Sequence, residues 1–239
     1  MNILITGTSS GIGLGLAQEF VTRGEEVWGM SRRTVGGLSQ SPRYRHLQLD
    51  ITEYDEVENR VPAFLDSLER LDLVVLNAGV LGEIAWQSEV GLDEMKRVME
   101  INVWANKVLL DLLFGQVPEI RQVAGISTKA SLRSSPGWGP YSVSKAGLNM
   151  LMNVYAKEYP DTHFTAFAPG LVDSEIQEHI WHIQETDKYP TIEKLQKARY
   201  TEDMPGPRAA APELIRGMEK ALDSESGSFV DVRDMDLRD

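Results

Sequence analysis

The chain reads as one α/β domain spanning residues 1–239: a doubly wound sheet of about seven parallel strands with helices on both faces. Three observations predict it. Short apolar runs alternate with amphipathic stretches along the chain. The first run leads into a glycine-rich turn and then a helical pattern. No internal repeat or low-complexity linker divides the 239 residues, a length that one α/β core can fill.

The elements follow in order. Asn2-Ile3-Leu4-Ile5-Thr6 is an apolar strand. Gly7-Thr8-Ser9-Ser10-Gly11-Ile12-Gly13 is a turn, and Leu14, Leu16, Ala17, Phe20 and Val21 recur at helical spacing. Further buried strands are predicted at 27–31, 46–50, 71–76, 123–127, 164–168 and 229–232. Helices are predicted near 53–70, 92–116, 141–158 and 208–222. Residues 173–207 break the pattern with charges, Trp181, Tyr189, Pro190, Tyr200, Pro205 and Pro207. A long excursion beside strand ends reads as a substrate lid.

Composition narrows the function. A net charge of −12 opposes a phosphate backbone, so a nucleic-acid partner is not expected. No apolar run approaches the roughly 20 residues a membrane span needs. The apolar start is short and has no basic residues ahead of it, unlike a signal peptide. There are no cysteines, which excludes disulfides and thiolate chemistry and fits a cytoplasmic protein. His179 and His182 have helical spacing, but Glu178 precedes them and no third ligand is evident. No metal is expected.

Two patterns carry chemistry. Glycines let a backbone approach a pyrophosphate, and the helix that follows offers free N–H groups and a positive dipole end; residues 7–13 therefore suggest a nucleotide site. Tyr141 and Lys145 stand four apart, on one face of a helix. A cation beside a phenol is expected to lower its pKa and ready it for proton transfer. The end of the second strand indicates which dinucleotide is bound. An NAD site places an acid there for the ribose 2′-hydroxyl, whereas this strand ends Met30-Ser31-Arg32-Arg33. Two guanidinium groups and a hydroxyl suit a 2′-phosphate, hence NADP(H).

With these motifs in sequence order, the chain resembles the short-chain dehydrogenase/reductase family over essentially its whole length. Residues 6–13 look like the family's cofactor loop, with Gly7, Ser9, Ser10, Gly11, Ile12 and Gly13 as contacts. Asp50 falls where the family holds adenine. Asn77-Ala78-Gly79 looks like its Asn-Ala-Gly motif. Pro169-Gly170, with Val172 and Ser174 beyond, resembles the stretch at the nicotinamide end. The resemblance implies a Rossmann-type fold and a hydride transfer in which Tyr141 gives the proton and Lys145 lowers its pKa and binds the ribose. A hydroxyl thirteen residues before the tyrosine would hold the carbonyl oxygen. That position is Thr128, where the family usually has serine, and adjacent Ser127 stays open as the alternative. Asn102 matches an asparagine that supports a lysine-linked water.

Gly137-Trp138-Gly139-Pro140-Tyr141 is similar to the corresponding segment of sepiapterin reductases and benzil-type diketone reductases. That makes Trp138 either a substrate wall or a core residue. Asp231 matches the acid that holds the pterin in the former, or is an exposed strand residue. The expected function is NADPH-dependent reduction of a small-molecule ketone or 1,2-dicarbonyl. The alternatives are an NADP-linked alcohol dehydrogenase or pterin reductase with the same site, and a non-catalytic NADPH sensor. Apolar residues beyond one face of 92–116 and 141–158, among them Trp104, Val108, Leu109, Leu112, Leu148, Leu151, Met152 and Tyr155, suggest a homodimer or homotetramer through those helices.

Overall fold

The computed structural model of the chain describes residues 1–237. The central strands are β1 (Asn2–Thr6), β2 (Glu26–Ser31), β3 (Tyr44–Gln48), β4 (Leu73–Leu76), β5 (Gln122–Ile126), β6 (His163–Ala168) and β7 (Ser228–Asp231). All pair in parallel, in the order β3-β2-β1-β4-β5-β6-β7. A two-residue ladder of Arg70–Leu71 on Glu119–Ile120 stands apart. The order reverses between β1 and β4, and in a doubly wound sheet ligands bind outside the strand ends at that reversal.

The helices are α1 (Gly11–Thr22), α2 (Tyr54–Leu65), α3 (Leu92–Met99), α4 (Ala105–Gln116), α5 (Gly139–Glu158), α6 (Glu175–Trp181), α7 (Pro190–Ala198) and α8 (Pro207–Lys220). The predicted helix at 92–116 is α3 and α4 joined by a wide π turn, Glu100–Trp104. The predicted strand at 46–50 lies two residues earlier, because Tyr44 pairs with Val27 while Leu49 turns away to Ser31 O.

Alternation sorts each strand's side chains onto two buried faces. Ile3 and Ile5 join Leu16, Phe20, Val75, Phe167 and Leu214 beneath α1 and α8. Leu4 joins Leu76, Leu109, Val123, Leu148 and Met152 beneath α2, α4 and α5. Of the apolar residues on α4 and α5, Leu109, Leu148, Met152 and Tyr155 therefore face the sheet and Val108, Leu112 and Leu151 pack against the same core, while Val143, Met150 and Val154 of α5 and Trp104 of the π turn are exposed.

A third, smaller cluster lies over the strand ends: Leu81, Trp138, Ile180, Tyr189 and Ile192. Ile180, Tyr189 and Ile192 belong to the excursion at 173–207, which the structure resolves into α6 and α7, and they pack on Leu81 and Trp138 of the frame. This excursion is closed at its neck. Asp173 N donates to Pro205 O at 3.0 Å, and Arg199 Nε reaches Asp173 Oδ1 at 2.9 Å. Beyond the neck, α8 starts hard against α1: a Cβ on Gly15 would lie 2.3 Å from Pro207 O. Among the described residues, no helix is long and apolar enough to cross a membrane.

Candidate active site

A cavity of about 520 Å³ opens at the strand reversal, and nearly all the predicted site residues meet in it. At one end β1 runs into the glycine turn. Gly7 has a φ of +75°, and an added Cβ would sit 2.8 Å from Asn77 Nδ2. The Asn77 amide donates to Thr6 O at 2.9 Å, and Thr6 Oγ1 accepts from the backbone N–H groups of Asn77 and Ala78. These bonds join the end of β4 to the glycine turn. Ser10 precedes α1 without capping it by its side chain, which leaves first-turn N–H groups facing the cavity.

Gly13 is not part of the wall. Its backbone packs so tightly that an added Cβ would stand 2.4 Å from Gly7 O, so it fits the helix to the turn. Ser31 lines the cavity, but its hydroxyl is engaged elsewhere. It donates to Arg33 O at 2.8 Å and meets His46 Nε2 at 2.9 Å, so it shapes the strand end and does not reach outward as a phosphate ligand. Arg32 and Arg33 are exposed at the rim. Arg33 pairs with Glu175 at 2.7 Å, and Arg32 lies 3.8 Å from Asp50. Tyr44, bonded to Thr8 Oγ1 at 2.7 Å, stacks on His46 beneath this rim. Sequence reasoning gave no role to this polar cluster; the one sign of it was a glycine inside β2, where a Cβ on Gly29 would lie 2.2 Å from the Tyr44 hydroxyl.

At the other end stand Tyr141 and Lys145, one turn apart on α5. Lys145 is buried at 3% exposure, and its ammonium donates to Ile126 O at 2.6 Å. Its Nζ lies 5.8 Å from the Tyr141 ring centre. The expected lowering of the phenol pKa is absent. Burial pushes Tyr141 up to about 12 and Lys145 down to about 8, because desolvation penalises each charged form. The phenol is thus protonated at neutral pH.

The two candidate hydroxyls separate. Ser127 is 2% exposed, and its Oγ donates to Asn149 Oδ1 at 2.5 Å. Thr128 caps the turn that follows, accepting from Ala130 N at 3.3 Å, which leaves its own proton free. Asn102 lies in the π turn, fully buried and outside the cavity wall. Its amide donates to Val80 O and Ser144 Oγ, both at 2.9 Å, and its carbonyl accepts from Val80 N. The carboxamide is committed to these partners, so Asn102 positions the loop after β4 against α5.

Trp138 is buried and lines the cavity, its ring tilted 55° to Tyr141 at 6.1 Å. Asp231 does not reach the cavity. Its carboxylate accepts from Arg233 Nε at 2.9 Å and Nη2 at 2.7 Å, and Lys129 lies 3.5 Å away. The paired guanidinium holds Asp231 below the usual carboxylate range against the opposing effect of burial. An acid in β7 therefore serves Arg233, and Arg233 faces the cavity. Arg233, Ile176, Ile180 and Leu195 were not singled out from the sequence. Their places follow from the path of the excursion, which no local pattern shows. His182 pairs with Glu178 on the surface of α6.

Comparisons with known proteins show the family and the fold. A profile of the short chain dehydrogenase family matches residues 1–185. Benzil reductase ((S)-benzoin forming) of Bacillus subtilis is 29% identical over 97% of this chain and 98% of its own. An uncharacterized oxidoreductase of Schizosaccharomyces pombe is 32% identical over 73% of this chain and 72% of its own. Among solved structures, a short chain dehydrogenase/reductase from Saccharomyces cerevisiae superposes with a TM-score of 0.86 at 23% identity, covering 99% of this chain and 97% of that one.

Proposed function

The chain belongs to the short chain dehydrogenase family and is an oxidoreductase; from that premise we propose that it is an NADPH-dependent reductase of a ketone or 1,2-dicarbonyl. The observation that carries this reading is convergence. One cavity holds the glycine turn and the arginine rim at one end and Tyr141, Lys145 and Thr128 at the other. Its size, the uncapped α1 N-terminus and the close backbone at Gly7 fit a dinucleotide. Arg32 and Arg33, with no acid ending β2, favour the 2′-phosphorylated form.

When bound, the dinucleotide supplies the hydride. The chain supplies position and proton. Thr128 Oγ1 donates to the substrate oxygen and holds the carbonyl in place. Tyr141, held protonated by burial, passes its proton to that oxygen as negative charge develops there. Lys145, with its pKa held near 8, is still mostly cationic at neutral pH and stabilises the phenolate left behind. Trp138, Ile176 and Ile180 give a dry, partly aromatic wall suited to a flat diketone, in keeping with the name of the Bacillus subtilis relative. Residues 173–207 act as the lid over this wall. The exposed apolar residues of α5, with Trp104 in the π turn before α4, pair with a second copy.

The test is Tyr141→Phe, which keeps the ring and removes only the donor. With benzil and NADPH, kcat should fall by about 10²–10⁴-fold, while NADPH binding followed by fluorescence changes little. Normal turnover by the variant would take the proton-donor role from Tyr141, and a parent protein that binds NADPH but reduces no carbonyl would leave the non-catalytic sensor as the better account.

A further inference from the structure

We propose, resting on the reductase reading above, that the carbonyl substrate carries a carboxylate, received by Arg233 together with Arg133 and Lys194. The whole chain is acidic, 36 Asp and Glu against 24 Lys and Arg. The cavity wall is the opposite: seven Lys or Arg against two acids, Asp50 and Glu175. Both acids lie at the dinucleotide end, beside Arg32 and Arg33. With Lys145 on α5 assigned to the catalytic pair, four cations remain: Lys129, Arg133, Lys194 and Arg233.

These four come from three separate parts of the fold: the loop after β5, helix α7 and the turn after β7. Asp231 and Asp234 stand against Lys129 and Arg233 and balance two of the charges. Arg133 and Lys194 are exposed and have no ion pair among the described residues. An excess of positive charge at the mouth of a low-dielectric cavity focuses potential on its interior. The dinucleotide's phosphates do not account for this excess, because the α1 N-terminus and the arginine rim already answer them.

Arg233 is built to present its guanidinium. The carboxylate that grips it, Asp231, is buried, and the fork uses Nε and Nη2, which leaves Nη1 outside it. The stem lies on the Pro169-Gly170 turn: a Cβ on Gly170 would stand 3.2 Å from Arg233 Cδ. A planar guanidinium fixed by a second carboxylate loses little freedom when it takes a ligand carboxylate.

Three substrates of similar size test the assignment in NADPH oxidation: phenylglyoxylate, its methyl ester and 1-phenylpropane-1,2-dione. The acid should exceed the ester in kcat/KM by about tenfold or more, as expected for a charge-assisted contact. That ratio should shrink as salt rises from about 0.05 to about 0.5 M. In the Arg133→Gln/Lys194→Gln double variant it should fall several-fold. Arg233→Lys, which keeps a cation for Asp231 but loses the fork, should lower it too. Calorimetry gives a readout independent of turnover: mandelate should bind the NADP-loaded protein about tenfold more weakly in the double variant. If the ester or the diketone is reduced as well as the acid, or the ratio ignores both salt and the variants, the carboxylate assignment is overturned and the reductase reading stands. If none of the three is reduced, nor benzil, the reductase reading fails and takes this inference with it.

Discussion

Replacing Lys145 by methionine should make the ligand-free protein more stable while removing its activity. The ammonium is buried at 3% exposure and bonded to Ile126 O. Its pKa of about 8, against 10.5 for a free lysine, costs 1.36 kcal/mol for each decade, so the charge destabilises the fold by about 3 kcal/mol at neutral pH. Methionine fills a similar volume without the charge and loses one hydrogen bond worth about 1 kcal/mol. The net gain is about 2 kcal/mol, or roughly 4–8 °C in Tm for a chain of this length. The pH dependence has a definite sign. Below pH 8 the folded and unfolded chains both hold the proton, and the penalty is complete. Between about 8 and 10.5 the folded chain releases it first, so the unfolded state binds more protons and stability rises with pH. The gap between the variant and the parent should therefore shrink from about 2 kcal/mol at pH 7 to roughly zero near pH 10. Urea unfolding followed by tryptophan fluorescence measures both points. A variant less stable than the parent at pH 7, or a gap that does not change with pH, would refute the desolvation argument.

Arg32→Ala should weaken NADPH binding by about tenfold or more, the usual scale for one charge-assisted phosphate contact, and leave NADH nearly unaffected; tighter binding of NADH than NADPH by the parent protein would contradict the assignment of the rim. Thr128→Ala should lower turnover more than Ser127→Ala, because the Ser127 proton is already given to Asn149; steady-state kinetics that rank them the other way would move the oxygen-binding role to Ser127. Light scattering at micromolar concentration should return a dimer or tetramer mass, and Trp104→Glu with Met150→Glu should reduce it, since both residues are exposed, one in the π turn before α4 and one on α5; a monomer mass for the parent would refute pairing through these helices.

Much of this was legible in the sequence, and the parts that were not share a cause. Most of the strands follow from short apolar runs, because a strand buried on both faces has no polar alternation to obscure it; β3, an edge strand with Arg45 and Gln48 exposed, is placed two residues late. The glycine turn, the arginine rim and the Tyr141/Lys145 pair are local, and spacing alone brings each together. Asp231 was misplaced because its role depends on Arg233, two residues away in sequence, and on whether a strand-end carboxylate turns inward. Only packing decides that. The phenol pKa was given the wrong direction for a similar reason. Spacing shows that a cation is near, and it does not show that both groups are out of water, where desolvation outweighs a charge held 5.8 Å from the ring. The π turn at Asn102 carries no pattern that separates it from an ordinary helix.

The neck at Asp173 and Pro205 has a consequence for how such a protein diversifies. Because the excursion leaves and rejoins the frame at one hydrogen-bonded point, its length is nearly decoupled from the sheet. Doubling a closed loop costs only about 0.6 kcal/mol in closure entropy. The segment between those residues is therefore a cassette. It can be shortened or extended around α7 while β6 and α8 stay as they are, provided its first residues remain, because Glu175 holds Arg33 at the rim. Ile176, Ile180 and Lys194 line the cavity from the cassette, whereas Tyr141, Lys145 and Thr128 line it from the frame. The cavity wall is thus carried on two separable pieces of chain.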